Sequence, residues 1–264
     1  MPFYTFRINS TERNVLTKTF TTQDYFDLHY LLAGQDYTGV DLFCQQKFEE
    51  YTKDKTKLNC FDKFLYLFSQ KVVSHESEIS IVHTVEQGEK LNKLISLAKI
   101  YNDICDLKYQ LKNTFEEGNL KLEVGVPENL SDKRRLVIYS LQVNDLVIND
   151  TDRAEISSLS FLPVGLYRKI LKMQLSNNNA LNTLYFKECF LRDFTFDTEC
   201  FLYILNFVYN ENVSNFYDLT YKLNKDYSVN YSYMNTLTMR ELYLLVETIN
   251  KSVQEKKNKE KTYE

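Results

Sequence analysis

The chain has 264 residues and a net charge of -4, with 44% hydrophobic and 26% charged residues. That is enough apolar material for a sizeable core, and the acidic balance offers phosphate backbones no general attraction, which argues against nucleic acid as a partner. The counts of 18 Phe and 20 Tyr stand beside no Trp, 6 Gly and 3 Pro, so regular elements around aromatic cores are expected in place of long loops.

The segment FYTFRINSTERNVLTKTF, residues 3–20, reads as a β-hairpin, because β-branched and aromatic residues flank the polar turn Asn9 to Asn14. Thr21 and Asp24 then form a capping-box pattern that opens a helix, in which Tyr25, Leu28, Leu31 and Leu32 recur at helical spacing until Gly34. A second helix follows through VDLFCQQKFEEY. A third starts at Asn59 and Asp62, with Phe61, Phe64, Leu65 and Phe68 as its buried stripe.

SEISIVHTVEQ alternates and predicts a strand, while GEKLNKLISLAKIYNDICDLKYQL predicts a helix from the spacing of Leu91, Leu94, Ile95, Ala98, Ile104 and Leu107. Residues 119–149 are rich in β-branched side chains with Gly125 and Pro127 as punctuation, which predicts a small antiparallel sheet of two or three strands. From residue 155 the pattern is helical nearly to the end. Asp197 and Ser214 are read as helix caps, and Thr238 with Glu241 forms a capping box ahead of a stripe through Met239, Leu242, Leu245, Val246, Ile249 and Val253. The expected fold is therefore α+β and predominantly helical, with an N-terminal hairpin and a small sheet. Residues 1–150 form a first region and 151–264 a helical second region, packed with the first or beside it; residues 255–264 are expected as a flexible charged tail.

No apolar run reaches the roughly 18 residues of a membrane helix, since CFLYILNFVYN is interrupted by Asn206 and bounded by Glu199 and Glu211. The opening MPFYTFRINS lacks a secretory leader's apolar stretch, and Cys44, Cys60, Cys105, Cys189 and Cys200 include no C-x-x-C pair. Together these predict a soluble protein of a reducing cytoplasm.

Chemistry-bearing motifs are sparse. His75, His83 and Cys60 lack the paired spacing of a zinc site, so they are read as ordinary histidines and a small core residue, and no metal or cofactor is expected. The sequence holds no Gly-rich phosphate loop, no G-x-S-x-G and no H-E-x-x-H, so no catalytic residue is assigned. Lys133, Arg134 and Arg135 read as a solvated turn, and the Lys/Glu mixture at the C-terminus as a solvated helix end. The tyrosines draw more interest: Tyr217, Tyr221, Tyr227, Tyr231 and Tyr233, with Tyr243 beyond them. They fit either an aromatic core with wet edges or a protein-binding surface, for which tyrosine combines apolar area with a polar handle.

Several stretches together resemble the baseplate hub proteins of T-even-type contractile-tailed phages. They are FRINS with LTKTFTTQDYFDLHYLL, LNCFDKFLYLFSQKVVSHESEISI, LKLEVGVPENL, SLSFLPVGLYRKIL, and the tyrosine-rich segment that runs into the final capped helix. The segment from Glu89 to Glu117 has no counterpart in that pattern. The resemblance implies a non-enzymatic hub component or hub-assembly chaperone, working in the infected host's cytoplasm and bound to other baseplate hub proteins. Two readings from other classes stand beside it: a small cytoplasmic enzyme with an unmarked site, and an early phage protein that binds host machinery.

Overall fold

The computed structural model describes residues 2–75, 78–84, 90–144, 146–149, 162–182, 193–210 and 213–262. Strands β1 (Phe3–Ile8) and β2 (Arg13–Lys18) pair antiparallel with Phe6 opposite Val15. Period-two alternation buries Phe6 and Ile8 completely while Thr5 and Arg7 face out. Helix α1 (Thr22–Ala33) starts on the expected box, in which Thr21 Oγ1 accepts from Asp24 N at 3.2 Å and Thr21 N donates to Asp24 at 2.9 Å. It ends at Gly34, although the left-handed residue is Gln35, with φ 54°.

Helix α2 (Tyr37–Thr52) packs on α3 (Cys60–Ser74), the third expected helix, whose first turn is capped by Asn59 Oδ1 accepting from Asp62 N at 2.8 Å. The stripe expected on α3 was too narrow. All of its residues except Val72 and Val73 are buried, so α3 runs through the middle of the core.

The long helix expected over residues 88–111 is corrected. Strand β3 (Glu78–Thr84) pairs antiparallel with β4 (Lys90–Ser96), Ile79 lying opposite Ile95, and only Leu97–Asp106 is helical, as α4. Leu91, Leu94 and Ile95 do sit at helical spacing, but Ile95 is fully buried and Leu94 is 62% exposed, the in-out alternation of a strand. The helix begins where Ser96 Oγ accepts from Lys99 N.

The sheet is larger than expected. Strands β5 (Lys112–Glu117), β6 (Leu120–Gly125), β7 (Val137–Val143) and β8 (Leu146–Asn149) form a four-stranded antiparallel meander in that order. Gly118 opens the two-residue turn between β5 and β6 at φ 60°, where a side chain would be strained.

The C-terminal half contributes α5 (Val164–Asn182), α6 (Thr198–Val208), α7 (Val213–Tyr227), the short α8 (Tyr231–Thr236) and α9 (Met239–Thr262). Asp197 caps α6 as expected, accepting from Cys200 N at 2.9 Å. The cap expected at Ser214 falls on a side chain outside the described residues, and α7 is described from Val213. Thr238 and Glu241 do form the expected box on α9; its stripe buries Met239 and Leu242 and lays Leu245, Val246 and Ile249 against the core. The backbone stays helical through Thr262, across most of the charged segment expected as a tail. The expected boundary near Asp150 lies outside the described residues, but the regions on its two sides share one core: Phe201 of α6 stacks on Phe64 of α3 at 4.9 Å, and Tyr209 Oη donates to Leu67 O at 2.7 Å.

A buried ion pair joins three elements. Lys63 Nζ lies 3.0 Å from Asp41 Oδ1, the two side chains being 4% and 7% exposed. Asp41 also accepts from Leu130 N and from Ser131 N and Oγ, while Lys63 reaches Asn129 Oδ1 at 2.8 Å. The loop between β6 and β7 is thereby held on α2 and α3. Removing one partner of such a pair leaves a buried charge, so Asp41→Ala is expected to lower stability by about 3–5 kcal/mol in denaturant titration. Arg13→Ala, which breaks the exposed pair with Asp54, should cost less than about 1 kcal/mol. Equal losses would contradict this assignment.

Candidate partner-binding surface

Helix α7 sorts its residues by the helical period. Phe216, Thr220 and Leu223 are buried at 7%, 6% and 3%, whereas Tyr217 and Tyr221, one step round the helix, are 61% and 56% exposed. Tyr217 and Tyr221 are four residues apart and share a face. The chain then turns at Ser228, whose φ is 56°, and Asn230 caps α8 by accepting from Ser232 N at 2.7 Å. Helix α8 buries Met234, and Tyr227, Tyr231 and Tyr233 all remain exposed around it. The sequence left core and surface open for these five tyrosines; the structure puts all five outside. Among the described residues, none of their hydroxyls has a hydrogen-bond partner.

The five do not make one contact face. Tyr231 and Tyr233 are two residues apart on a helix, about 200° around its axis, so they project to different sides. Tyr217 instead stacks on Phe26 of α1, with ring centres 5.3 Å apart and planes at 17°. Phe26 in turn shares a face of α1 with Tyr30, four residues on and 80% exposed. Tyr30, Phe26, Tyr217 and Tyr221 thus form an aromatic face across α1 and α7. Sequence reading missed Tyr30; its offset from the buried stripe of Tyr25, Leu28 and Leu32 was the available signal. Tyr243, the sixth tyrosine of the cluster, contacts the His75 ring at 5.7 Å.

The other candidate groups are built into the fold. His75 is buried against Tyr25 and Tyr243. The side chain of His83 and all of Cys189 lie outside the described residues. Among the described residues, no group of His, Cys, Asp and Glu is placed to hold a metal ion. Arg134 pairs with Asp132, and Arg135 lies 3.6 Å from Asp197, so two of the three basic turn residues serve neighbours in the chain. Asp24 accepts from Thr21, Tyr51 and Lys47, and Asp62 from the hairpin turn. Burial pushes the Asp62 carboxyl up, partly offset by its hydrogen bonds from Ser10 and Asn9. Among the described residues, no helix is long and apolar enough to cross a membrane. No protein-family model, curated protein or solved structure matches the chain.

Burial also sets the thiols. Cys44 and Cys60 are pushed well above the ordinary thiol range by desolvation, and Cys105, less enclosed, is pushed up to about 11. Thiolate is the reactive form. Cys44 and Cys60 should therefore resist a disulfide-exchange reagent at pH 8 in the native protein and react once it is denatured; rapid native labelling of either would show an activated thiol.

Proposed function

We propose that this chain is a non-enzymatic protein-binding component of a contractile-tailed phage, acting in the baseplate hub or in its assembly within the host cytoplasm. The resemblance of its hairpin, its capped helices and its tyrosine-rich C-terminal segment to hub proteins supplies the setting. The observation that carries the binding part is the aromatic face of Tyr30, Phe26, Tyr217 and Tyr221, which presents large rings on two helices, the three tyrosine hydroxyls having no hydrogen-bond partner among the described residues. Tyrosine in such a place contributes contact area at low entropic cost. The hydrogen bonds of the buried Asp24, Asp41 and Asp62 and the burial that disfavours thiolate at Cys44, Cys60 and Cys105 further support binding over chemistry.

The test is co-purification of the full chain with the tail proteins encoded beside it. Tyr30→Ser with Tyr221→Ser should weaken that complex by roughly tenfold or more, while the thermal midpoint moves little because neither hydroxyl nor ring is buried. The pair Tyr231→Ala and Tyr233→Ala reports separately on α8. Unchanged binding in both double variants, or no association with any tail protein, would refute the proposal.

A further inference from the structure

A groove of about 760 Å³ opens between the tip of the N-terminal hairpin, the entry to α3 and the start of β5. Its wall includes Asn9, Asn59, Tyr109, Gln110, Asn113 and Tyr139. Two of the three asparagines have their oxygens engaged by the backbone: Asn59 Oδ1 accepts from Asp62 N, and Asn113 Oδ1 from Thr114 N at 2.8 Å. Each therefore keeps an amide nitrogen with two N–H donors. Asn9 Nδ2 and Tyr109 Oη are buried and, among the described residues, without a hydrogen-bond partner. Both residues stand in the partition between this groove and a neighbouring cavity of about 290 Å³. Turning the Asn9 amide into the groove breaks no bond of Nδ2, since it makes none there. The backbone of Asn9 stays anchored meanwhile, its N–H donating to Asp62 Oδ1 at 2.7 Å.

The groove is thus rich in neutral donors and calls for a ligand rich in acceptors. An anion is disfavoured: Lys57 pairs with Glu128, Lys112 with Glu123 at 3.0 Å, and Glu12 and Glu128 belong to the wall. A glycan is disfavoured because both tyrosine rings are already engaged by neighbours in the chain. The Tyr109 ring stacks on Phe196 at 4.7 Å and meets Phe61 at 4.8 Å, and Lys112 Nζ sits 4.4 Å over the Tyr139 ring. We propose that the groove binds an extended, uncharged peptide segment of a partner protein, whose backbone carbonyls accept from the side-chain amides of Asn9, Asn59 and Asn113. This rests on the protein-binding reading above and gives it a second contact of defined chemistry, remote in sequence from the tyrosine face.

The experiment pans the immobilised full chain with a displayed library of random peptides of about ten residues, some 34 Å when extended. The selected peptide is then titrated by fluorescence anisotropy. Asn9→Ala and Asn113→Ala should each weaken it by roughly three- to tenfold, with unchanged thermal midpoints, and Tyr30→Ser with Tyr221→Ser should leave it unaffected. Selection of no peptide, or of peptides indifferent to both asparagine variants, overturns the proposal. So does displacement of the peptide by neutral chito- or malto-oligosaccharides, which would assign the groove to a glycan. Loss of tail-protein binding in the tyrosine variant with peptide capture intact keeps the two contacts apart; if no tail protein binds yet the peptide does, the phage setting fails and the groove stands.

Discussion

The fold depends on burying helix α3 on nearly every side although its sequence carries Asp62, Lys63, Ser69, Gln70, Lys71 and Ser74. A polar group taken from water without a partner is strongly unfavourable; Ser74 donates back to Gln70 O within the helix, and each of the other five side chains meets a bond that leads out of α3. Asp62 holds the hairpin turn through Asn9 N and Ser10 N. Lys63 holds α2 and the β6–β7 loop. Ser69 meets Tyr4 of β1 at 2.7 Å, Gln70 bridges Phe20 N and Lys18 O at the end of β2, and Lys71 reaches Tyr25 of α1 at 3.2 Å. Apolar packing alone tolerates small rotations of one element over another. These directed bonds do not, so α3 specifies where the hairpin, α1, α2 and the loop sit around it.

How far the sequence revealed this follows from where each signal lies. Caps are local, and Thr21, Asn59, Asp197 and Thr238 were legible because a side chain bonding its own backbone three residues on needs no tertiary information. The strand β4 was illegible for the opposite reason. Leu91, Leu94 and Ile95 satisfy a helical period, and only pairing with β3, a long-range event, decides for the strand. Strand β5 has the sequence KNTFEE and buries Phe115 alone, at the edge of its sheet, so it offers almost no pattern to read. The aromatic face was half legible: Tyr217 and Tyr221 stood out as tyrosines, but their exposure depended on which face of α7 the core took. The groove was invisible, since its wall comes from the hairpin turn, the entry to α3 and strands far apart in sequence.

The same arrangement that fixes the core also fixes the groove. Asp62 sits at the first turn of α3, capped by Asn59, and binds the backbone of Asn9 and Ser10. The hairpin tip is therefore set at the mouth of the groove by its main chain, while Asn9 Nδ2 is buried without a hydrogen-bond partner among the described residues. Opposite, Tyr109 is clamped between Phe61 and Phe196, and Gln110 is held through both its N–H and its C=O by Asn177 of α5. Rigid backbone, with amide nitrogens left over from side chains whose oxygens are already held, is the condition under which a ligand pays little ordering entropy on binding.

The aromatic composition completes the argument, because the same residue types serve inward and outward roles without ambiguity. Inside, Phe6, Phe20, Phe48 and Tyr66 meet edge to face, with ring centres from 5.2 to 6.3 Å apart, in a cluster that the α3 bonds hold in register. Outside, Tyr217 rests on Phe26, itself packed against the core and against the buried Phe216 at 4.3 Å. The exposed ring is thus supported from below by a half-buried one, and that by a buried one. A tyrosine standing alone on a solvated helix would have to be ordered by its partner at the moment of contact. Tyr217 is already held by its stack, so in the proposed complex the partner would meet a pre-set aromatic surface, which favours the face of α1 and α7 over the separately projecting tyrosines of α8 as the proposed contact edge.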